Sequence, residues 1–243
     1  MEKKYIMKKR IILPFVLISI IFMLNRAAGA VEISAGATTW YSCWDFEQSN
    51  SSTEFDPTFL YGPALSMKFS DDYNLTFVFL FGKFDMSETH SDGTYTRELK
   101  RYDSDLALNY RLNSYFKLFA GGKYMAYEMS DFTHRAAGPG AGISAVLPLV
   151  SNLYLLGNIS GLYLWGKHKQ ENETEGTTTD DYTEYGMNSN LSLAYYITSA
   201  SVTLSMGGRY QYLKSDFKDA EDQDDLTHQF YGFTAAATYS FSL

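Results

Sequence analysis

Residues 231–243 read YGFTAAATYSFSL, and their spacing decides how the rest of the chain is read. Tyr231, Phe233, Ala235, Ala237, Tyr239, Phe241 and Leu243 take every second position, with only small residues between them. A period of two puts all the large side chains on one face of a β-strand. Soluble domains usually end in polar, frayed residues. A strand that faces lipid and must close against another strand has reason to end like this one, because an open sheet edge is not tolerated in hydrocarbon.

The same alternation recurs, counting outward from this stretch, at residues 31–43, 58–69, 75–84, 99–112, 115–127, 140–149, 152–166, 184–197 and 201–213. These segments favour Thr, Tyr, Phe and Val, which suit strands. Each is near the ~9–11 residues that cross a bilayer when tilted. Tight connections (70–74, 113–114, 150–151, 198–200) alternate with long polar ones (45–57, 85–98, 128–139, 167–183, 214–228). That rhythm is expected of an outer-membrane barrel, with short periplasmic turns and longer outside loops. The predicted fold is all-β, a transmembrane antiparallel up-and-down β-barrel of ten strands. An eight-stranded barrel with one hairpin outside the wall, and a soluble exported β protein, are the alternatives.

The facing residues agree. In 99–112, Tyr102, Leu106, Leu108 and Tyr110 oppose Arg101, Asp103, Asp105, Asn109 and Arg111. In 201–213, Val202, Leu204, Met206, Tyr210 and Tyr212 oppose Ser205, Arg209 and Gln211. A barrel in lipid turns the apolar set outward and fills its interior with the polar set.

At the other terminus, five basic residues between Lys3 and Arg10 precede an apolar run from Ile11 to Leu24, followed by Ala28-Gly29-Ala30. This is the pattern of a secretory signal, cleaved after Ala30, with Ala28 and Ala30 as the small residues before the cut. The run is short of the ~20 residues of a membrane-spanning helix. The expected organisation is therefore a signal peptide over 1–30 and one barrel domain over 31–243. Removing 1–30 takes six Lys/Arg and one acid with it, leaving 14 basic and 27 acidic residues and a net charge of −13. Such a charge argues against nucleic-acid binding, whose footprint is basic. Cys43 is the single cysteine, so no intramolecular disulfide can form.

By layout the mature chain resembles the small bacterial outer-membrane barrels of the OmpA, OmpX and OmpW type, extended by one hairpin. Such barrels end in a strand with an aromatic at or near the terminus, which the barrel-assembly machinery reads. Here the resemblance gives that role to Tyr239 and Phe241, although the commonest pattern ends on the aromatic itself. It also implies outer-membrane lipid as the surrounding medium. The omptin proteases, also ten-stranded, use acidic pairs with an Asp–His dyad at the barrel rim. Asp103 and Asp105 echo the acidic pair, but the chain contains no D-x-H.

Inward parity assigns Lys68, Arg101, Asp103, Asp105, Arg111, Lys117, Lys123 and Arg209 to a polar lumen network, because buried charges need partners. The same parity turns Trp40, Leu60, Leu162 and Leu164 inward toward the outer end, where they could form a small apolar pocket. All four histidines, His90, His134, His168 and His228, fall in expected outside loops with no H-x-x-x-H spacing, so no metal site and no cofactor is expected. The acidic run 219–225 reads as a solvated loop. The expected function is non-enzymatic: a structural or surface-interaction role through acidic outer loops that meet an extracellular ligand or partner. The alternative is a narrow pore, or a carrier for a small hydrophobic or anionic ligand, using the lumen.

Overall fold

The structure, a computed structural model, describes residues 31–48, 51–90, 93–172, 176–217 and 226–242. The expected signal segment with Ala28 and Ala30, the acidic run 219–225 and Leu243 lie outside the described residues.

Among the described residues ten strands follow one another: β1 (Glu32–Gln48), β2 (Ser51–Lys68), β3 (Tyr73–His90), β4 (Gly93–Arg111), β5 (Phe116–Glu128), β6 (Phe132–Val150), β7 (Leu153–Asn172), β8 (Gly176–Ile197), β9 (Val202–Phe217) and β10 (Leu226–Ser242). Each pairs antiparallel with its chain neighbours, and β10 closes on β1 to complete the barrel. That closing register runs unbroken from Glu32↔Ser242 to Gln48↔Leu226. The terminal alternation therefore does what its pattern demands: it removes the last open edge. Within it, a Cβ on Gly232 would come to 1.9 Å from the carbonyl oxygen of Tyr41, so only glycine lets the two strands approach here.

The four tight turns share one end of the barrel with Glu32 and Ser242. Side chains hold them: Asn113 Oδ1 accepts from the backbone N–H groups of Tyr115 and Phe116 at 2.8 and 2.9 Å. Ser70 Oγ likewise accepts from Tyr73 N–H at 3.0 Å. Asn152 takes a positive φ of 63° in the β6–β7 turn, a conformation asparagine tolerates.

The outward face carries the apolar set, with Phe59, Leu191, Met206 and Phe233 among its most exposed members. An upper ring of Tyr41, Phe59, Tyr61, Tyr124, Trp165, Tyr185 and Tyr231, and a lower ring of Tyr73, Tyr110, Phe116, Tyr195 and Tyr239, bound this belt. Aromatic girdles of this kind mark the two membrane interfaces.

Two expectations are corrected. The long outer connections are mostly strand: the paired strands run on through them, and 129–131 is the short described link between β5 and β6. Above the aromatic ring the ladders simply continue, with ion pairs such as Lys83–Glu98 (2.9 Å) and Lys167–Asp181 (3.1 Å) replacing apolar outward residues. Pairing still satisfies the backbone there, and charged side chains suit water. The lumen, expected to be polar apart from a small apolar pocket toward the outer end, is polar only in its middle and lower parts. Its upper half is packed with Trp40, Trp44, Phe55, Leu60, Leu80, Phe84, Leu99, Tyr127, Leu164, Leu213 and Phe230. Beyond the lipid, the inward and outward faces exchange polarity, because a water-exposed barrel buries its apolar side chains inside.

Candidate functional site

A charged layer crosses the middle of the lumen. Arg101, Asp103 and Asp105 alternate inward from β4, and the register sets Asp105 opposite Lys123 of β5. Arg101 Nη2 donates to Asp103 Oδ2 at 2.9 Å, and Lys123 Nζ donates to Asp103 Oδ1 at 2.8 Å and Asp105 Oδ1 at 3.1 Å. From β9, Arg209 Nη2 reaches Asp103 Oδ1 at 3.5 Å and Asp105 Oδ2 at 3.4 Å, while its Nε donates to Asn188 Oδ1 at 3.1 Å. Arg101 Nη2 also donates to Gln211 Oε1 at 2.8 Å. Arg101 and Asp103 are fully buried. In a ring of ten, β4 and β9 stand diametrically opposite, so these bonds span the whole bore.

Above the layer the cation faces rings. The Arg101 guanidinium carbon lies 3.5 Å from the Phe230 centroid and 5.1 Å from that of Trp40; Arg209 lies 4.4 Å from Trp40. Desolvated cation–π contacts of this kind contribute roughly 2 kcal/mol. Trp44 then stacks on Phe55 at 4.0 Å and meets Phe84, Tyr127 and Phe230 at 5.0–5.3 Å. Together the charges and rings fill the bore.

Of the eight expected network members, Arg101, Asp103, Asp105, Lys123 and Arg209 are brought together. Lys68, Arg111 and Lys117 are not: they line the lower mouth with Asp71 and Asp72. There Lys68 pairs with Asp71 at 3.0 Å and Arg111 with Asp72 at 3.5 Å, largely in water. The Lys68 ammonium, donating to Asp71, holds that carboxyl below its usual value. Inward parity alone does not encode height along the bore, which is why the two groups looked like one.

The four residues read as an apolar pocket all join one packed cluster rather than lining an open pocket of their own. Leu60 and Leu164 are fully buried in the packed upper core. Trp40 and Leu162 border a cavity of about 390 Å³ in the lower half, walled largely by Thr38, Asn158, Ser160, Asn188 and Asn190 and reached by Lys123 and Arg209. Inward side chains of Leu and Trp size interdigitate in a bore this narrow, so the space that remains is the polar part. Tyr239 and Phe241 stack on the outer face of β10 at 6.0 Å.

The parity reading passed over a third group. The histidines were expected in loops, but His134, His168 and His228 lie on β6, β7 and β10. His134 and His228 are almost fully buried inside the barrel, with the fully buried Glu184 of β8. One ligand atom from each of these three lies within 4.8 Å of the other two. Their level is above the lipid belt, since the outward neighbours are Arg135, Lys167, Asp181, Lys214 and Gln229. Burial there, together with the other positive groups nearby, pushes both imidazoles well below the usual histidine range. A signal existed in the sequence: carrying the inward parity of 186, 230 and 136 one step further places all three inside.

By sequence, no protein family and no curated protein matches the chain. By structure, it is similar to the outer membrane protease OmpT from Escherichia coli, with a TM-score of 0.62 at 10% identity, over 88% of this chain and 98% of that one. The architecture is that of an outer-membrane β-barrel. Weaker likenesses include the translocator domain of the autotransporter NalP from Neisseria meningitidis, with a TM-score of 0.48, 10% identity and coverage of 98% of both chains. Another is the P. putida toluene transporter TodX, with a TM-score of 0.36, 9% identity and coverage of 90% and 92%.

Proposed function

We propose that the protein is exported by a cleaved signal to the outer membrane and acts at its outer end, as a structural or surface-interaction barrel that does not transport through its lumen. The observation that carries this reading is the diametric bonding of β4 to β9, Arg101 to Gln211 and Arg209 to Asp103, beneath a packed aromatic core. Open aqueous channels come with ~16–18 strands, whereas small barrels are filled by side chains. The strands that rise above the belt, ion-paired across the ladder, are suited to present the outer links to a partner.

Planar-bilayer recording on the refolded mature chain tests the sealed bore. The expected trace has no stable unitary conductance; a unitary current that shifts when Arg101 is replaced would return the lumen to the centre of the function. For the surface role, removing 173–175 or shortening 218–225, which spares the strands and their buried residues, should abolish adhesion of cells displaying the protein while leaving a folded, heat-modifiable barrel.

A further inference from the structure

We infer that His134, Glu184 and His228 form a binding site for a divalent transition metal of the zinc class, stapling β6, β8 and β10 together above the membrane. Three observations converge. The ligand atoms already lie within 4.8 Å of one another. Tetrahedral zinc with bonds of ~2.0–2.1 Å to nitrogen and oxygen sets its ligands roughly 3.3 Å apart, so modest side-chain rotation closes the gap. All three side chains are buried, and among the described residues His134 Nε2, His228 Nδ1 and Nε2, and Glu184 Oε2 have no hydrogen-bond partner. Orphaned buried polar atoms are costly, so three residues that bring such atoms to one point call for an occupant.

The remaining atoms are held from outside. His134 Nδ1 lies 3.3 Å from His168 Nδ1, which leaves Nε2 for the metal. Ser215 Oγ donates to Glu184 Oε1 at 3.3 Å, which leaves Oε2. Outer partners that orient a ligand and fix its free atom are the usual support of a metal site. Tyr182 packs on the His134 ring with centroids 4.1 Å apart, restricting its rotation. Two imidazoles and one carboxylate suit zinc, cobalt, nickel or copper rather than calcium or magnesium, which prefer all-oxygen shells. The nearby cation Arg101 bonds Asp103 and Gln211 through Nη2 and makes no hydrogen bond to Glu184. Three protein ligands leave a fourth tetrahedral position for water.

The test uses the processed full-length chain, folded in mild detergent, stripped with chelator and titrated with Co²⁺ and Zn²⁺. One Co²⁺ per chain, with visible ligand-field bands that Zn²⁺ abolishes, is expected. His228→Ala and Glu184→Gln should each weaken binding by more than about 100-fold, and His168→Ala by roughly 10-fold, the scale of a lost outer partner. Folding of each variant is read from its gel shift on heating. Should a ligand variant not fold, X-ray absorption on the cobalt-loaded wild type replaces it, with two histidine nitrogens expected. Folded wild type that binds no stoichiometric metal overturns the inference, which leaves buried water on those atoms. So do variants that fold and bind like wild type, or a spectrum with oxygen ligands alone, either of which moves the metal to the acidic run 219–225.

Discussion

Arg101–Asp103 and Lys68–Asp71 are ion pairs of nearly equal length, 2.9 and 3.0 Å, on the same inward parity of the same barrel. One is sealed at mid-bore; in the other, the two side chains are 45% and 80% exposed. What separates them is the medium. Two charges at fixed distance interact several-fold more strongly away from water, and being left alone costs correspondingly more. Equal geometry therefore conceals unequal consequence.

The largest expected effect comes from breaking the sealed pair. Asp103→Ala removes the acceptor shared by Arg101, Lys123 and Arg209 and should destabilise the barrel by about 3–5 kcal/mol. The urea midpoint of the lipid-embedded protein measures this. Next, Trp44→Ala removes the ring that packs against Phe55, Phe84, Tyr127 and Phe230 and should cost about 3–5 kcal/mol without opening a conducting path, since the charge layer lies below it. Replacing Arg101, Asp103 and Lys123 together by Met, Leu and Met should recover much of the Asp103→Ala loss, because apolar residues of similar volume often substitute for a buried ionic cluster. If the triple variant is no better than Asp103→Ala, the layer is needed for more than charge balance. At the rim, Asp71→Asn should leave the midpoint unchanged in physiological salt. The pH sign is fixed: with Asp71 held below its usual value, its contribution is complete above the unfolded pKa of ~3.9 and fades as pH falls through the lowered folded value. Titration between pH 5 and 8 should therefore not touch this pair.

The sequence made the wall legible because lipid enforces a strict alternation. Every expected segment became a strand, in order, since an outward polar side chain or a slipped register is expensive in hydrocarbon. Above the belt that pressure ends. The ladder goes on, but Arg135, Lys167 and Asp181 now stand where Phe or Leu would be, and the stretch reads as loop. His134 and His228 were lost for the same reason, and their grouping with Glu184 for a second one. Motifs such as H-x-x-x-H describe ligands that share one element, whereas these sit on three strands, 44 and 50 residues apart, and meet only because the sheet closes.

The stacked core around Trp44 also bears on how this barrel could change over evolutionary time. Barrels grow and shrink by whole hairpins, and a hollow one can absorb such a step with little more than a change of girth. Here Trp44 touches side chains from β2, β3, β5 and β10 at once. Since diameter rises roughly linearly with strand number, one duplicated hairpin would part those contacts and leave a void in place of the core. A lineage that fills its bore in this way gives up the easiest route to a wider one, and its variation is steered to the hairpin tips.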